Sequence, residues 1–211
     1  MKKIMFDDKY GLTKAVLDGR KTMTRRIVEE MAGREYKKLP QIQEDCNDGS
    51  FLVFKDADDL EPIILYPKYK VGEVVAVAQC LRDMGYDPRD TKHRSGEIWG
   101  LDHAVAWTNK MFVTASECIH KIRITAVRVE RLQDISDEDC FREGIFRFNL
   151  HHHERYAYTV RRKIGDDETI VEFKPFDTPR EAFSSLIDKL SGKGTWESNP
   201  LVYVYEFELV K

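Results

Sequence analysis

The sequence lacks any long hydrophobic run. No apolar segment in its 211 residues approaches the roughly 20 residues that a membrane-spanning helix needs. The chain starts Met1-Lys-Lys, and only three apolar residues lie between this start and Asp7, which is too short an apolar stretch for a signal peptide. We therefore expect a cytoplasmic protein that does not bind or span a membrane.

Cysteine is scarce, and its spacing excludes two common uses. None of the four cysteines forms a close pair in the sequence: Cys46, Cys80, Cys118 and Cys140. Zinc ribbons and disulfide frameworks need such pairs, so the spacing argues against both and is typical of a reducing compartment.

A run of histidines, His151-His-His153, is the other candidate for metal binding. Neighbouring strand residues point to opposite faces, so only His151 and His153 could share an ion. No cysteine pair or aspartate cluster lies close to them in the sequence. We favour a polar strand edge here and expect neither a metal nor another cofactor.

The chain also lacks a general excess of positive charge. Its formal net charge is −3, but residues 1–40 hold eleven Lys/Arg against six Asp/Glu, whereas residues 41–62 hold one against seven. Any contact with nucleic acid would therefore be local.

What is present is enough apolar material for a core, arranged mostly in strand patterns. Hydrophobic residues make up 42% of the chain. Strands or strand pairs are predicted at residues 50–55 with 60–66, at 74–78, at 120–132 with a bulge near Ala126, at 156–160 with 170–173, and at 201–210. Residues 29–49 are expected to form a loop with one short helix.

Three helices carry clear signals. The first spans residues 8–18 and ends at Gly19, where a left-handed conformation is expected. The second runs from Ser136 to Glu143, and the third begins with the capping sequence Thr178-Pro-Arg-Glu181. With more strands than helices and no βαβ rhythm, we predict an α+β, mainly β fold: a small β-barrel with peripheral helices and inserted hairpins.

The stretch Gly19-Arg-Lys-Thr-Met-Thr-Arg-Arg26 carries four cations, two hydroxyls and no acid. Three interpretations fit. Lys21, pushed toward its neutral form, takes a proton from the Thr24 hydroxyl; the cations bind phosphate or another anion; or the stretch is a solvated basic strand start. Strand periodicity places Lys21 and Thr24 on opposite faces, so the first interpretation requires a turn after Gly19.

Several blocks of the sequence resemble the ASCH domain family of PUA-like barrels, in its larger bacterial and phage form. These blocks are residues 10–26, 70–73, 127–144 and 192–207. The resemblance implies a single domain over residues 1–211, with insertions at about 29–66, 81–112 and 146–178. It also implies that RNA or a modified nucleoside is the partner.

The site motif is similar to that of bacterial N(4)-acetylcytidine amidohydrolases, smaller members of this family. By this resemblance Lys21 would be the proton acceptor, Thr24 the nucleophile and Glu143 the proton donor. Arg26 or a backbone N–H would hold a developing oxyanion, and Arg25 is an added cation where those enzymes have an apolar residue. We also expect substrate contacts from Arg20, Arg25 and Trp196, although Trp196 equally fits a packing role.

One block departs from the family pattern. Members usually carry Trp-Val-Arg-Glu after the glycine turn, whereas this chain has Ala76-Val-Ala-Gln79. The departure predicts a different substrate choice or a loss of activity. The alternatives to an amidohydrolase are a noncatalytic RNA-binding module and a phage-derived protein that keeps only the fold. Arg161-Arg-Lys163, with Tyr156 and Tyr158, is either an RNA-contacting surface or a solvated hairpin face.

Overall fold

The computed structural model describes residues 1–29, 41–45, 52–55, 63–86, 105–164 and 168–210. Its strands are β1 (Lys3–Ile4), β2 (Met23–Ile27), β3 (Gln41–Asp45), β4 (Leu52–Lys55), β5 (Ile63–Leu65), β6 (Val74–Val77), β7 (Lys121–Arg131), β8 (Phe146–Leu150), β9 (His153–Ala157), β10 (Val160–Ile164), β11 (Glu168–Glu172) and β12 (Leu201–Val210). Its α-helices are α1 (Leu12–Leu17), α2 (Asp137–Arg142), α3 (Pro179–Ser191) and α4 (Thr195–Ser198). The predicted α+β, mainly β class is therefore confirmed.

A five-stranded mixed sheet forms the centre, with the strand order β1-β6-β7-β12-β2. Within the described residues of this sheet, only β1 and β6 run parallel. The long strand β7 alternates apolar and polar residues, whereas the first half of β12, Leu201 to Tyr205, is buried throughout. Ile122 and Ile124 of β7 and Tyr205 of β12 are fully buried. The register of β12 against β7 shifts between Glu206 and Phe207, opposite Ala126 and Ile124. The bulge predicted near Ala126 is confirmed.

The edge strands β1 and β2 approach each other through side chains. Among the described residues, no backbone ladder joins the two strands, so the sheet is not seen to close into a barrel. Instead, the Arg26 guanidinium of β2 donates to the carbonyl of Met5, just after β1, at 2.5 Å. The Phe6 ring packs on Phe207 of β12 with a centroid distance of 5.7 Å. These contacts link the segment after β1 to β2 and β12.

In the part of the chain that the structure describes, three small sheets lie outside the central one. They pair β3-β4-β5, β8-β9 and β10-β11. The predicted pairing of residues 50–55 with 60–66 is confirmed as β4-β5. The hairpin predicted from residues 156–160 with 170–173 is found only in part, because the first strand of the observed pair, β10, begins at Val160. The predicted turns of both hairpins fall largely outside the described residues.

Two expectations about these segments were wrong. Residues 41–45 were expected in a loop with one short helix but form β3. Their local sequence does not favour a strand clearly, and pairing with β4 provides hydrogen-bond partners for their backbone groups. Tyr156 belongs to β9, which pairs with β8 in an additional hairpin, rather than to the strand that starts at Val160. His151 and His152 occupy the tight turn of that hairpin with φ of 49° and 67°, so these two are not strand residues.

The helices follow their capping signals. Gly19 has the expected positive φ of 73°. The Ser136 hydroxyl accepts from the Asp139 backbone amide at the start of α2, and Thr178 and Glu181 form a complete capping box at the start of α3. Phe183, Leu186 and Ile187 of α3 are buried, whereas Leu190 is partly exposed. No helix in the described ranges has the length and apolar character that a bilayer span requires.

Candidate active site

A turn after α1 carries Lys21 into the protein interior. Both the Arg20 and the Lys21 amides donate to the carbonyl of Ala15 at 2.9 Å, so the chain wraps around the end of the helix. The next amide, that of Thr22, donates to the carbonyl of Arg142 at 3.0 Å and ties the segment to the end of α2. Lys21 therefore lies before the first residue of β2, where strand alternation does not apply. This is the turn that the catalytic interpretation requires.

The Lys21 ammonium meets Glu143 in a buried pair. Its Nζ lies 2.5 Å from Glu143 Oε2 and donates also to the Glu143 backbone carbonyl at 2.8 Å. The exposed fractions are 2% for Lys21 and 4% for Glu143. The Phe6 ring centroid lies 5.9 Å from the same nitrogen. The pair thus joins two segments that are 122 residues apart in the chain.

Burial lowers the pKa of Lys21 from its usual 10.5. Removing an ammonium from water disfavours the charged form, and the neighbouring Arg26 and Arg25 cations act in the same direction. The Glu143 carboxylate opposes this effect without reversing it. Lys21 is therefore easier to deprotonate than a surface lysine, as a general base requires.

Arg25 is paired with carboxylates. Its Nη1 lies 3.1 Å from Glu143 Oε1, its Nε 3.0 Å from Glu130 Oε1, and its Nη2 3.0 Å from Asp139 Oδ2. Despite the burial of the guanidinium, these carboxylates raise the pKa of Arg25. Arg25 lines the same cleft as Lys21 and Glu143, but all three of its nitrogens contact Glu143 and its neighbours. The expected substrate contact from Arg25 therefore stays a prediction.

The ion pairs extend beyond the predicted residues. Arg128 donates to Glu130 at 3.1 Å and to Asp139 at 2.9 Å, and it also pairs with Glu206. Arg142 pairs with Glu206 at 2.7 Å. Sequence reasoning missed this network. The sequence does contain one indication of the network. Arg128 and Glu130 occupy alternate positions of β7, on the face opposite the apolar Val127 and Val129.

Lys21, Thr24 and Glu143 line one cleft of about 680 Å³. This volume suits a nucleoside-sized ligand. Apolar residues of α1 and α3, including Leu12, Phe183 and Leu186, supply one wall. Thr24 pairs through its backbone with Tyr205 in the sheet, and no hydrogen bond within the described chain occupies its hydroxyl. The hydroxyl is therefore available to a ligand.

The other predicted contact residues divide between the cleft and the surface. Arg26 is exposed and lines the cleft, with its guanidinium 5.9 Å from the Phe6 ring centroid. Arg20 is exposed outside the cleft lining and pairs with Asp18 at 3.2 Å. Trp196 packs on the Phe183 ring at 6.1 Å, under the Arg180 guanidinium, and does not line the cleft. The structure thus brings Arg26 to the site and leaves Arg20 and Trp196 away from it.

Other reactive groups lie apart from this centre. No group of three potential metal ligands occurs among the described residues. The three described cysteines are free and buried, and burial raises the pKa of the Cys140 thiol to about 12, so this thiol stays protonated. Gln79 ends the segment Ala76-Val-Ala-Gln79, which differs from the Trp-Val-Arg-Glu run that the resemblance leads one to expect. It is buried and forms a hydrogen bond with His120 Nδ1 at 2.6 Å. Gln79 therefore links the end of β6 to the start of β7 and does not line the cleft.

Comparisons with protein-family models, with curated proteins and with solved structures found no match. The geometry and chemistry of the cleft therefore carry the functional inference.

Replacing Glu143 should cost far more stability than replacing an exposed acid. Glu143→Ala leaves Lys21 and Arg25 buried with less compensation, so we expect a loss of about 3–5 kcal/mol in the free energy of unfolding. Glu208→Ala, which removes an exposed partner 3.7 Å from Arg123, should cost less than about 1 kcal/mol. Urea denaturation measures both values. Equal losses would contradict the buried pair.

Gly144 should resist substitution because of the contacts around Lys21. A Cβ at Gly144 would lie 3.3 Å from Leu12 Cδ2 and 3.8 Å from Lys21 Cδ, whereas a Cβ at Gly192 would meet nothing within 4 Å. The two glycines have nearly the same positive φ, +108° at Gly144 and +107° at Gly192. Substitution by Ala should therefore add a similar backbone strain of about 1–2 kcal/mol at each position. Gly144→Ala should lose about 1 kcal/mol more than Gly192→Ala in thermal or urea unfolding. An identical loss would show that the Lys21 turn has room to adjust.

Proposed function

We propose that the protein is an amidohydrolase of the ASCH type, with a PUA-like barrel, that removes an acyl group from the exocyclic amine of a cytidine-like base. The single observation that carries this proposal is the buried Lys21–Glu143 pair in a cleft that also holds the unoccupied hydroxyl of Thr24. Amide hydrolysis needs a nucleophile, a base and an acid, and these three side chains supply them. The Arg26 and Phe6 contacts between the sheet edges support the barrel.

The reaction begins with the pair in its neutral form, in which the shared proton lies on Glu143. Neutral Lys21 takes the proton of the Thr24 hydroxyl as its oxygen attacks the acyl carbonyl. Glu143 then donates its proton to the departing amine, and the acyl group remains as an ester on Thr24. The proton on Lys21 then passes to Glu143, which restores the neutral pair. Lys21 next takes a proton from water as the water oxygen attacks the ester, and it returns this proton to the departing Thr24 oxygen. The acyl group leaves as acetic acid, which ionises to acetate in solution, and the cycle is complete.

Two further groups serve this chemistry. Arg26 keeps exposed donors beside Thr24 on β2 and can stabilise the oxyanion that develops on the carbonyl oxygen. Arg25 holds Glu143 Oε1 and leaves Oε2 directed to Lys21. Arg25 therefore acts as a positioning residue. The base of the substrate would pack against the apolar wall from α1 and α3.

The charges at the site fit a noncatalytic RNA-binding module less well than they fit an amidohydrolase. Two of the four cations in the basic stretch, Lys21 and Arg25, are buried and neutralised by carboxylates, and Arg20 pairs with Asp18. Cations held in this way contribute little to phosphate binding. A noncatalytic RNA-binding module would therefore have to rely on other surfaces of the protein.

The Thr24 hydroxyl provides the direct test of catalysis. Thr24→Val keeps the β-branched shape but removes the nucleophile, so release of cytidine from N(4)-acetylcytidine should fall about a thousandfold or more. Thr24→Ser keeps a hydroxyl and should retain measurable turnover. Chromatographic assay of cytidine measures both, and unfolding curves check that the variants remain folded. Turnover by Thr24→Val equal to that of the unmodified protein would eliminate the proposed nucleophile.

A further inference from the structure

A second, smaller cavity adjoins the active-site cleft. It has a volume of about 360 Å³ and is lined by four cations and two tyrosines: Lys9, Tyr10, Tyr158, Arg161, Arg162 and Lys189. No carboxylate occurs among its described lining residues. Lys9 lines this cavity and the active-site cleft alike. We call the smaller cavity the basic cavity.

Arg161 has an unmet hydrogen-bonding requirement in this cavity. Its Nε is buried and has no hydrogen-bond partner among the residues that the structure describes. The arginines of the active-site network differ, because Arg25, Arg128 and Arg142 all donate to carboxylates. An unpaired buried nitrogen of this kind is unfavourable. No described carboxylate pairs with Arg161, so its positive charge in the basic cavity is not neutralised by the described part of the chain.

The backbone holds Arg161 against the active-site side of the protein. Its amide donates to the Lys9 carbonyl at 2.6 Å, which joins β10 to the segment leading into α1. Lys9 Nζ lies 5.5 Å from the Tyr10 ring centroid. Among the described side chains, Arg162 pairs with the exposed Glu172 at 3.3 Å. The cations therefore keep most of their donors for a ligand. A phosphate matches them, because its oxygens accept several charge-assisted hydrogen bonds at once.

We propose that the basic cavity binds a backbone phosphate of an RNA strand whose acylated base occupies the active-site cleft. The inference rests on the proposed function for the identity of that base. Because Lys9 borders both cavities, one strand can occupy the two together. The preferred substrate is then an acylated nucleotide within RNA rather than the free nucleoside.

Binding of a short RNA tests this inference without relying on turnover. The probe is a trinucleotide with N(4)-acetylcytidine at its centre, compared with N(4)-acetylcytidine itself and with inorganic phosphate, by calorimetry at two salt concentrations. We expect the trinucleotide to bind about tenfold or more tightly than the nucleoside, with an advantage that shrinks as salt rises. Arg161→Gln should remove that advantage, and Arg161→Lys should keep part of it.

Arg147→Gln is the matched control. It removes the same charge from an exposed arginine of β8, whose partner Glu154 lies 3.8 Å away, and should leave trinucleotide binding unchanged. Equal affinity of the unmodified protein for trinucleotide and nucleoside would overturn the inference. Equal effects of Arg161→Gln and Arg147→Gln, or inorganic phosphate bound as tightly as the trinucleotide, would overturn it as well.

The two proposals fail in different ways. If no substrate releases acetate but the trinucleotide still binds through Arg161, the amidohydrolase proposal is wrong and the phosphate site is supported. If the nucleoside is hydrolysed and Arg161→Gln changes neither binding nor turnover of the trinucleotide, the phosphate site is wrong. Hydrolysis of the free nucleoside by Arg161→Gln should match that of the unmodified protein, because Arg161 does not line the active-site cleft.

Discussion

The buried contact between the Lys21 ammonium and the Glu143 carboxylate is the constraint on which the rest of the site depends. Two ionisable groups that are each almost fully buried are unfavourable unless each has a partner. Glu143 meets this condition with one oxygen on Lys21 and the other on Arg25. A slip of either segment would separate the pair, so the ionic requirement fixes the turn after α1 and the end of α2 relative to each other.

This requirement spreads through the centre of the sheet. Arg25 contacts Glu130 of β7 and Asp139 of α2 as well as Glu143, and Glu206 of β12 completes the network through Arg128 and Arg142. Four cations therefore face four carboxylates on elements that are adjacent only in the folded chain. This balance keeps Arg25 from acting as a free anion-binding group. It also explains how a stretch that looks strongly basic in the sequence contributes little positive charge to the surface.

The sequence predicted best the features that local chemistry decides. Gly19, the Ser136 cap and the Thr178 capping box mark helix ends because each acts within a few residues. The bulge near Ala126 was visible as a change of phase in the apolar pattern. β3 and the β8-β9 hairpin were not visible, since pairing with another strand stabilises them more than their own propensity does.

The candidate site was only partly accessible to sequence reasoning. Spacing alone could not bring Lys21 to Glu143, which lies 122 residues away, and that pairing was expected only from the resemblance to ASCH enzymes. The carboxylate partners of Arg25 could not be predicted from the sequence, because they lie on β7 and α2, far away along the chain. The packing of Trp196 on Phe183 likewise depends on how α3 and α4 meet.

Titration of the Lys21 side chain by NMR tests the central claim most directly. The Nζ and Cε chemical shifts, assigned by comparison with a Lys21→Arg variant, report its protonation state as pH is raised. Burial lowers the pKa of this lysine, so the account predicts a midpoint clearly below 10.5 and below the midpoints of the exposed lysines. A midpoint at or above 10.5 would mean that Glu143 holds Lys21 permanently charged. Lys21 could not then serve as the base.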